Sequence, residues 1–304
     1  MNSSPSICPI CDSPSNTQFI ESDYVYGGRD DQSIVHCDNC DLYYLTPAPT
    51  QNELNFFYEN SFEDFMSKRS GSDANWSDSE QHVSISKREY VRRKKFIDEY
   101  LYPGCKVIDI GASTGFMLTN ILKDNPYVNV TAVEPSTEFT DYLNSINIEN
   151  YKYIDDIDNE TKFDLVLHFF VIAHVEDVKN FMIQCYSKIA KGGVMVFETP
   201  SASDPLYALY DIKEYRAFFW QVAHIYTFTE KSMSFFLKSM GWSFKVTPHQ
   251  RYDISNHMSW MQTGKPGGRG KYSQIFSHKL EEEYKINLQK SGYYDSLIVT
   301  IYKT

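Results

Sequence analysis

The stretch Val107–Leu118 constrains this chain more than any other. An apolar run holding one acid, Asp109, leads into Gly111 and Gly115, then a helical pattern over 116–122 and a second apolar strand ending at Glu134-Pro135. Such a strand–turn–helix–strand order is a βαβ unit with a bare backbone turn. Gly111 permits a positive φ, and Gly115 allows helix and strand to approach closely. A carboxylate at the tip of the second strand, Glu134, is placed to accept both hydroxyl hydrogens of a ribose. The turn is therefore shaped for a nucleoside.

The glycine spacing separates two kinds of nucleoside. A dinucleotide site uses three closely spaced glycines and rests a pyrophosphate on the helix N-terminus. Here the pattern is Asp109-x-Gly111-x-x-x-Gly115. An acid inside the strand repels phosphate and suits an α-ammonium group.

Cysteine spacing carries the second signal. Cys8/Cys11 and Cys37/Cys40 form two C-x-x-C pairs separated by 25 residues. Each pair presents two thiolates from a tight knuckle, and two knuckles complete a tetrahedral zinc site. With four protein ligands such a site is structural. His36 is the one residue that could replace a thiolate. Cys105 and Cys185 lie in apolar-periodic segments and read as core.

The 304 residues suggest a main domain with an accessory piece. A formal net charge of −11 disfavours nucleic acid and anionic membrane as partners. No apolar run is long enough to span a bilayer, and the first residues lack a hydrophobic signal region, so a cytoplasmic location is expected. The basic run Lys87–Lys95 reads as a solvated helix face. Residues 60–86, rich in Ser, Asp and Glu, read as a linker or lid, and a helix is expected over 87–101. Strands are expected at 105–110, 129–134, 151–154, 163–170 and 193–199, with a final hairpin from 243–252 and 296–303.

These residues resemble motif I of the class I S-adenosylmethionine (SAM) methyltransferases, and the resemblance runs from about residue 87 to the end. Phe163–Asp177 is similar to the family's fourth-strand motif and Lys191–Pro200 to its fifth-strand motif. The resemblance implies an α/β, Rossmann-like sheet, mostly parallel with an antiparallel last strand, beside a small four-cysteine module. It implies a cofactor set of Asp109, Gly111, Ala112, Gly115, Glu134, Asp155 and Phe169, with Asp156 the alternative to Asp155 for the adenine. The expected division is a zinc module at 1–58, a linker at 59–86 and a methyltransferase domain at 87–304, with acceptor insertions at 201–230 and 250–292.

The knuckles followed by Leu42–Pro49 narrow the resemblance to zinc-bearing methyltransferases of deoxysugar and surface-polysaccharide pathways, including sugar C-methyltransferases. Two departures matter. Ala173 stands where the family usually has Glu before His174, and Ala223 precedes His224 where C-methyltransferases carry an acid. A sugar hydroxyl, on a nucleotide-sugar or surface glycan, is thus the expected acceptor, with C-methylation of a keto-deoxysugar as the alternative. A zinc-ribbon binding protein retaining the fold only as scaffold is the non-enzymatic alternative. His224 is the expected general base, with His174 and Tyr226 as supporting catalytic candidates. The loop Lys265–Arg269, near Arg251, Asn256 and His257, reads equally as a phosphate cradle or a surface turn.

Overall fold

The computed structural model describes residues 7–70 and 79–304; side chains of Glu63, Ser70 and 79–86 are not described. The chain begins with three short strands, β1 (Gln18–Ser22), β2 (Ser33–Cys37) and β3 (Tyr43–Thr46), and then three helices, α1 (Gln51–Asn60), α2 (Phe62–Ser70) and α3 (Ser79–Lys94). The alternating part follows: β4 (Lys106–Ile110), α4 (Phe116–Asp124), β5 (Asn129–Val133), α5 (Thr137–Ser145), β6 (Glu149–Tyr151), β7 (Phe163–Phe169), α6 (Val178–Ser187) and β8 (Ile189–Pro200). An irregular region carries α7 (Pro205–Ala208), α8 (Lys213–Phe219) and the two-residue β9 (Tyr226–Thr227). The chain closes with α9 (Glu230–Ser239), β10 (Ser243–His249), α10 (Ile254–Thr263), α11 (His278–Lys290) and β11 (Ser296–Tyr302).

The large sheet has the order β10-β11-β8-β7-β4-β5-β6, and only β11 runs against its neighbours. Alternation along the strands divides its two faces. Val107, Leu165, Leu167, Val196 and Ile298 pack with Met117, Leu118 and Ile121 of α4 on one side. Ile108, Val166, Met195, Phe197 and Val299 pack with Met182 of α6 and Phe236 of α9 on the other. The strand order reverses between β4 and β7, so a crevice opens at their carboxyl ends, where open α/β sheets hold ligands.

Several boundaries differ from the sequence reading. Helix α3 ends at Lys94, because tight turns from Arg93 and Lys94 swing Ile97 into full burial. Residues 62–70 are helical, as is 79–86 within α3, whereas composition suggested a linker; 71–78 lie outside the described residues. Strand β6 occupies 149–151 rather than 151–154. Strands β10 and β11 pair antiparallel from Ser243↔Tyr302 to His249↔Ser296, but α10 and α11 intervene, so they form no tight hairpin.

The small sheet is β1-β2-β3-β9, all antiparallel. Its fourth strand comes from the far side of the chain: Tyr43 and Tyr44 pair with Thr227 and Tyr226. Cys8, Cys37, Cys40, Leu42 and Tyr44 share one apolar cluster with Ile225, Tyr226, Phe228 and Phe236. The cysteine knuckles therefore rest directly on the large domain.

Candidate active site and metal centre

The first turn of the βαβ unit is built as its glycines require. Gly111 has φ 74°, and a Cβ there would lie 2.5 Å from Val171 Cγ2. Gly115 caps α4 at φ 67°, and a Cβ there would lie 2.6 Å from Leu143 Cδ2 of α5. Both glycines are thus needed for the close packing of the turn as well as for its backbone shape. Gly111 and Ala112 donate their N–H groups to the Val133 carbonyl, which staples the turn to the end of β5.

Two carboxylates flank this turn. Asp109 is buried, and no hydrogen-bond donor reaches it among the described residues. Desolvation pushes its pKa up to about 7, opposed by the Arg93 charge and aided by Glu134. A buried acid left without a donor fits an incoming ammonium group. Glu134 accepts N–H bonds from Ser113 at 2.8 Å and Ser136 at 3.0 Å, so it stands across the mouth of both turns. Each of its oxygens keeps a lone pair for a ribose hydroxyl. Burial raises its pKa against those two hydrogen bonds.

The remaining cofactor candidates sit around the same sheet edge. Asp155 follows β6, exposed, and accepts both bonds from the Gln184 amide. Asp156 instead caps its own short helix through the Tyr153 N–H. Phe169 ends β7, with the Arg93 guanidinium carbon 4.3 Å from its ring centre.

Arg92 and Arg93 depart from the reading of the basic run as a solvated face, which holds for the exposed Lys87, Arg88 and Lys95. Their side chains are buried on Glu198 of β8: Arg92 donates twice, at 2.7 Å each, and Arg93 once, at 3.1 Å. Ser296 adds a fourth bond to Glu198. Burial would raise this carboxyl, but the arginines hold it far below the usual carboxylate range. Beyond it, Asp295 accepts from the Arg251 side chain and from the N–H groups of Arg251 and Tyr252. Nothing in the sequence marked Glu198 or Asp295 as partners.

The catalytic candidates converge in part. His174, after β7, and His224, before β9, place their rings 5.2 Å apart at 68°. Gln221 holds its amide nitrogen 3.1 Å from His224 Nε2. Tyr58 of α1, which the sequence did not single out, brings its hydroxyl 2.7 Å from His174 Nδ1. Desolvation, then the Arg69 charge, takes His174 down to about 4 despite a hydrogen bond to the Ala223 backbone. Desolvation, then His174, Arg69 and Arg251, lowers His224 as well. Burial thus holds both imidazoles below the ordinary histidine value, with Tyr58 standing at His174 Nδ1 and Gln221 at His224 Nε2. Both side chains are partly exposed.

Tyr226 is not with them. Its hydroxyl donates to the Glu176 carbonyl, and its ring packs in the cluster of the cysteine knuckles. Its work is to seat β9, because an apolar ring on a sheet-pairing residue is buried against the core. At the tip of β7, Phe170 takes φ 61°, a strained conformation for an aromatic residue. The Arg251 and Arg93 guanidinium carbons lie 4.6 and 5.4 Å from its ring centre.

The Lys265–Arg269 loop is docked on α10. Asn256 bonds the Gly267 carbonyl at 2.6 Å, and a Cβ on Gly268 would collide with Ser259. Arg269 is taken by Glu89 and the Arg251 carbonyl, the Gly270 N–H by the Asp253 carboxylate, and His257 by Tyr284. A phosphate beside Gly270 would meet the Asp253 carboxylate, which weighs toward a surface turn at that end of the loop, while Lys265 is exposed.

Cys8, Cys11, Cys37 and Cys40 form the one group able to hold a metal among the described residues, with all four Sγ atoms within 4.8 Å of one another. Cys8–Cys40 and Cys11–Cys37 are each 3.6 Å apart. Tetrahedral zinc with Zn–S near 2.3 Å needs sulfurs about 3.8 Å apart, so the residues fit. Asp12 and Asp41, each just after the second cysteine of a knuckle, take φ of 55° and 70° to close the turns. His36 is not a ligand: its Nε2 pairs with Asp41 at 2.8 Å and its ring stacks on Tyr43.

The strand order, the bare turn and the acid pair define a class I methyltransferase fold. The model of the family described as "Methyltransferase domain" matches residues 80–244, and the chain belongs to that family. Among curated relatives, ubiquinone biosynthesis O-methyltransferases of Rickettsia bellii are 29% identical over 111 residues, covering 34% of this chain and 45% of theirs. This chain thus spans under half the length of those relatives. A SAM-dependent methyltransferase from Archaeoglobus fulgidus has a TM-score of 0.50 at 13% identity, covering 79% of this chain and 99% of that one. The plantazolicin methyltransferase BpumL in complex with SAH also scores 0.50, at 15% identity, covering 83% and 94%. No described helix is long and apolar enough to cross a membrane.

Proposed function

We propose that this protein transfers the methyl group of SAM to a hydroxyl of a sugar acceptor, a nucleotide-sugar or a surface glycan, with His224 as general base. The observation that carries the reading is the partly accessible His174–His224 pair, with His174 just past the end of β7, the strand paired with the Asp109 strand β4. When bound, SAM supplies an electrophilic methyl group on a sulfonium. Asp109 would pair with its ammonium and Glu134 with its ribose, while Asp155 and Phe169 would border the adenine side.

The protein's remaining task is to hold the acceptor in line and take its proton. His224 accepts the hydroxyl proton. Gln221 and His174 fix its ring, and Tyr58 in turn holds His174. The names of the Rickettsia bellii relatives, which are O-methyltransferases, agree with a hydroxyl acceptor. The absence of an acid before His224 favours O- over C-methylation. The cysteine knuckles hold structural zinc in this reading, and residues 1–58 serve as a module that braces the acceptor side.

Calorimetric titration of S-adenosylhomocysteine into wild type and Glu134→Ala tests the cofactor half. Loss of two hydrogen bonds to a carboxylate should weaken binding by roughly 10–1000-fold; no binding to wild type would sink the reading. Labelled SAM with a panel of nucleotide-sugars tests the acceptor. Product label released by ether cleavage excludes C-methylation.

A further inference from the structure

A metal on the four cysteines would form a charged centre in an apolar setting. Four thiolates on a divalent ion leave a net charge of about −2. Cys8, Cys37 and Cys40 are fully shielded from solvent, and they cluster with Ile10, Val35 and Leu42. Charge held in such surroundings needs hydrogen-bond donors aimed at it. Ser13 Oγ lies 3.1 Å from Cys11 Sγ, and the Gln18 amide nitrogen lies 3.4 Å from Cys37 Sγ. These two contacts are not equivalent. Cys11 is partly exposed, so water can replace the serine hydroxyl there; Cys37 is closed to water, and nothing from solvent can replace the glutamine.

Strand register puts Gln18 in that place. Gln18 of β1 pairs directly with Cys37 of β2, and paired residues share one face of a sheet. Val35, two residues before Cys37, lies on the same face and pairs with Tyr44 of β3, which in turn pairs with Tyr226 of β9. Gln18 and Tyr44 are both buried, and the Tyr44 hydroxyl donates to Gln18 Oε1 at 3.2 Å. With its oxygen so engaged, the amide turns its nitrogen toward Cys37. An amide nitrogen carries two hydrogens, enough for the sulfur and for the turn after the first knuckle. The acceptors in that turn are the Ser13 and Pro14 carbonyls, at 3.4 and 3.3 Å, and the Thr17 hydroxyl at 3.1 Å.

We propose that Gln18 is a positioning residue of the metal centre: its N–H draws charge from the Cys37 thiolate and fixes the direction of that sulfur, while Tyr44 locks the amide. This rests on the reading of the four cysteines as a zinc site. Partners behind the ligands orient them and tune their donor strength. Without the donor, Cys37 becomes the more electron-rich sulfur and loses its support, so the ion is held less tightly. A side chain that only filled space, or only tied down the 13–17 turn, would alter stability without touching the electrons of the sulfur. Through Tyr44 and Tyr226, the same amide joins the centre to β9.

The test exchanges cobalt(II) into the full chain and reads the sulfur-to-cobalt charge-transfer absorption, with affinity taken from competition against a chelator. Gln18→Met keeps the length of the side chain and removes the donor. It should move the band to lower energy and weaken binding by about 10–100-fold. Tyr44→Phe keeps the amide but unlocks it, and should move both readouts the same way by less. Gln18→Met with the wild-type band and affinity overturns the proposal. Lower affinity with an unmoved band overturns it too, since that is loss of packing alone. If Gln18→Met does not fold, Tyr44→Phe decides by the same two readouts. A wild type that shows no charge-transfer band at all removes the zinc reading itself.

Discussion

The proposed cofactor half and the proposed acceptor half of this protein are assembled in opposite ways. Asp109, Gly111, Gly115 and Glu134 come from one continuous βαβ unit, and their geometry follows from two strands, one turn and one helix. Tyr58, His174 and His224 come from three separate segments, and chain-distant contacts bring them together. One of those contacts is the small sheet. β3 pairs with β9, the Leu45 N–H reaches the Ile225 carbonyl, and the Ile225 N–H reaches Ala173. The cysteine knuckles therefore stand behind the residues on either side of both histidines. A site made locally tolerates distant damage; a site made of remote parts inherits the stability of everything that aligns them.

The largest test of this contrast is removal of the zinc proposed for the four cysteines. Structural zinc contributes on the order of 10 kcal/mol to small modules that depend on it. Chelation, or Cys37→Ser, should abolish methyl transfer and melt β1–β3, read by a lost low-temperature transition in calorimetry. S-adenosylhomocysteine should still bind, with affinity changed by less than about tenfold. Equal loss of both would mean that the two halves are one cooperative unit.

Within the acceptor half, His224→Ala should lower kcat by about 10²–10⁴-fold with little change in cofactor affinity. A variant retaining full turnover would assign the base elsewhere, His174 first. The link between the halves is Glu198, on which Arg92, Arg93 and Ser296 converge. Glu198→Ala leaves buried cations unpaired and should cost about 3–5 kcal/mol, measured by denaturant unfolding. A smaller loss would mean that solvent already reaches the arginines.

The smallest effect concerns the cofactor half alone. Asp109 titrates near pH 7 in the free protein because it is buried. Its folded pKa is raised above the unfolded value, so ionisation opposes folding, and that penalty grows as pH rises through about 7. A ligand ammonium prefers the ionised acid. Affinity for S-adenosylhomocysteine should accordingly fall by up to about tenfold per pH unit below 7, with proton release on binding. In Asp109→Asn this slope should disappear; a flat profile in wild type would mean that the ammonium pairs elsewhere.

How much of this was legible in the chain divides along the same line. Strand alternation and the D-x-G-x-x-x-G turn revealed the sheet and the acid pair, because neighbours in sequence are neighbours in the βαβ unit. C-x-x-C spacing revealed the four thiols for the same reason, each knuckle being a local turn. His224 and His174 were identifiable as titratable residues in motif-bearing stretches, but their adjacency was not. Tyr58 carried no signal at all, being one aromatic among 23 tyrosines. The Lys87–Lys95 run misled, since helical periodicity cannot tell a charge facing water from one facing a buried Glu198.

The sequence by itself determined the fold class, the nucleoside turn and the cysteine cluster, all of which rest on short-range backbone geometry and residue spacing. Only the tertiary structure decided which arginines are paired, that Tyr226 supports a sheet, and that Tyr58 of α1 reaches His174. Those outcomes depend on burial and charge pairing between segments as much as 180 residues apart, as Glu89 and Arg269 are, and desolvation acts on neighbours in space whatever their distance along the chain.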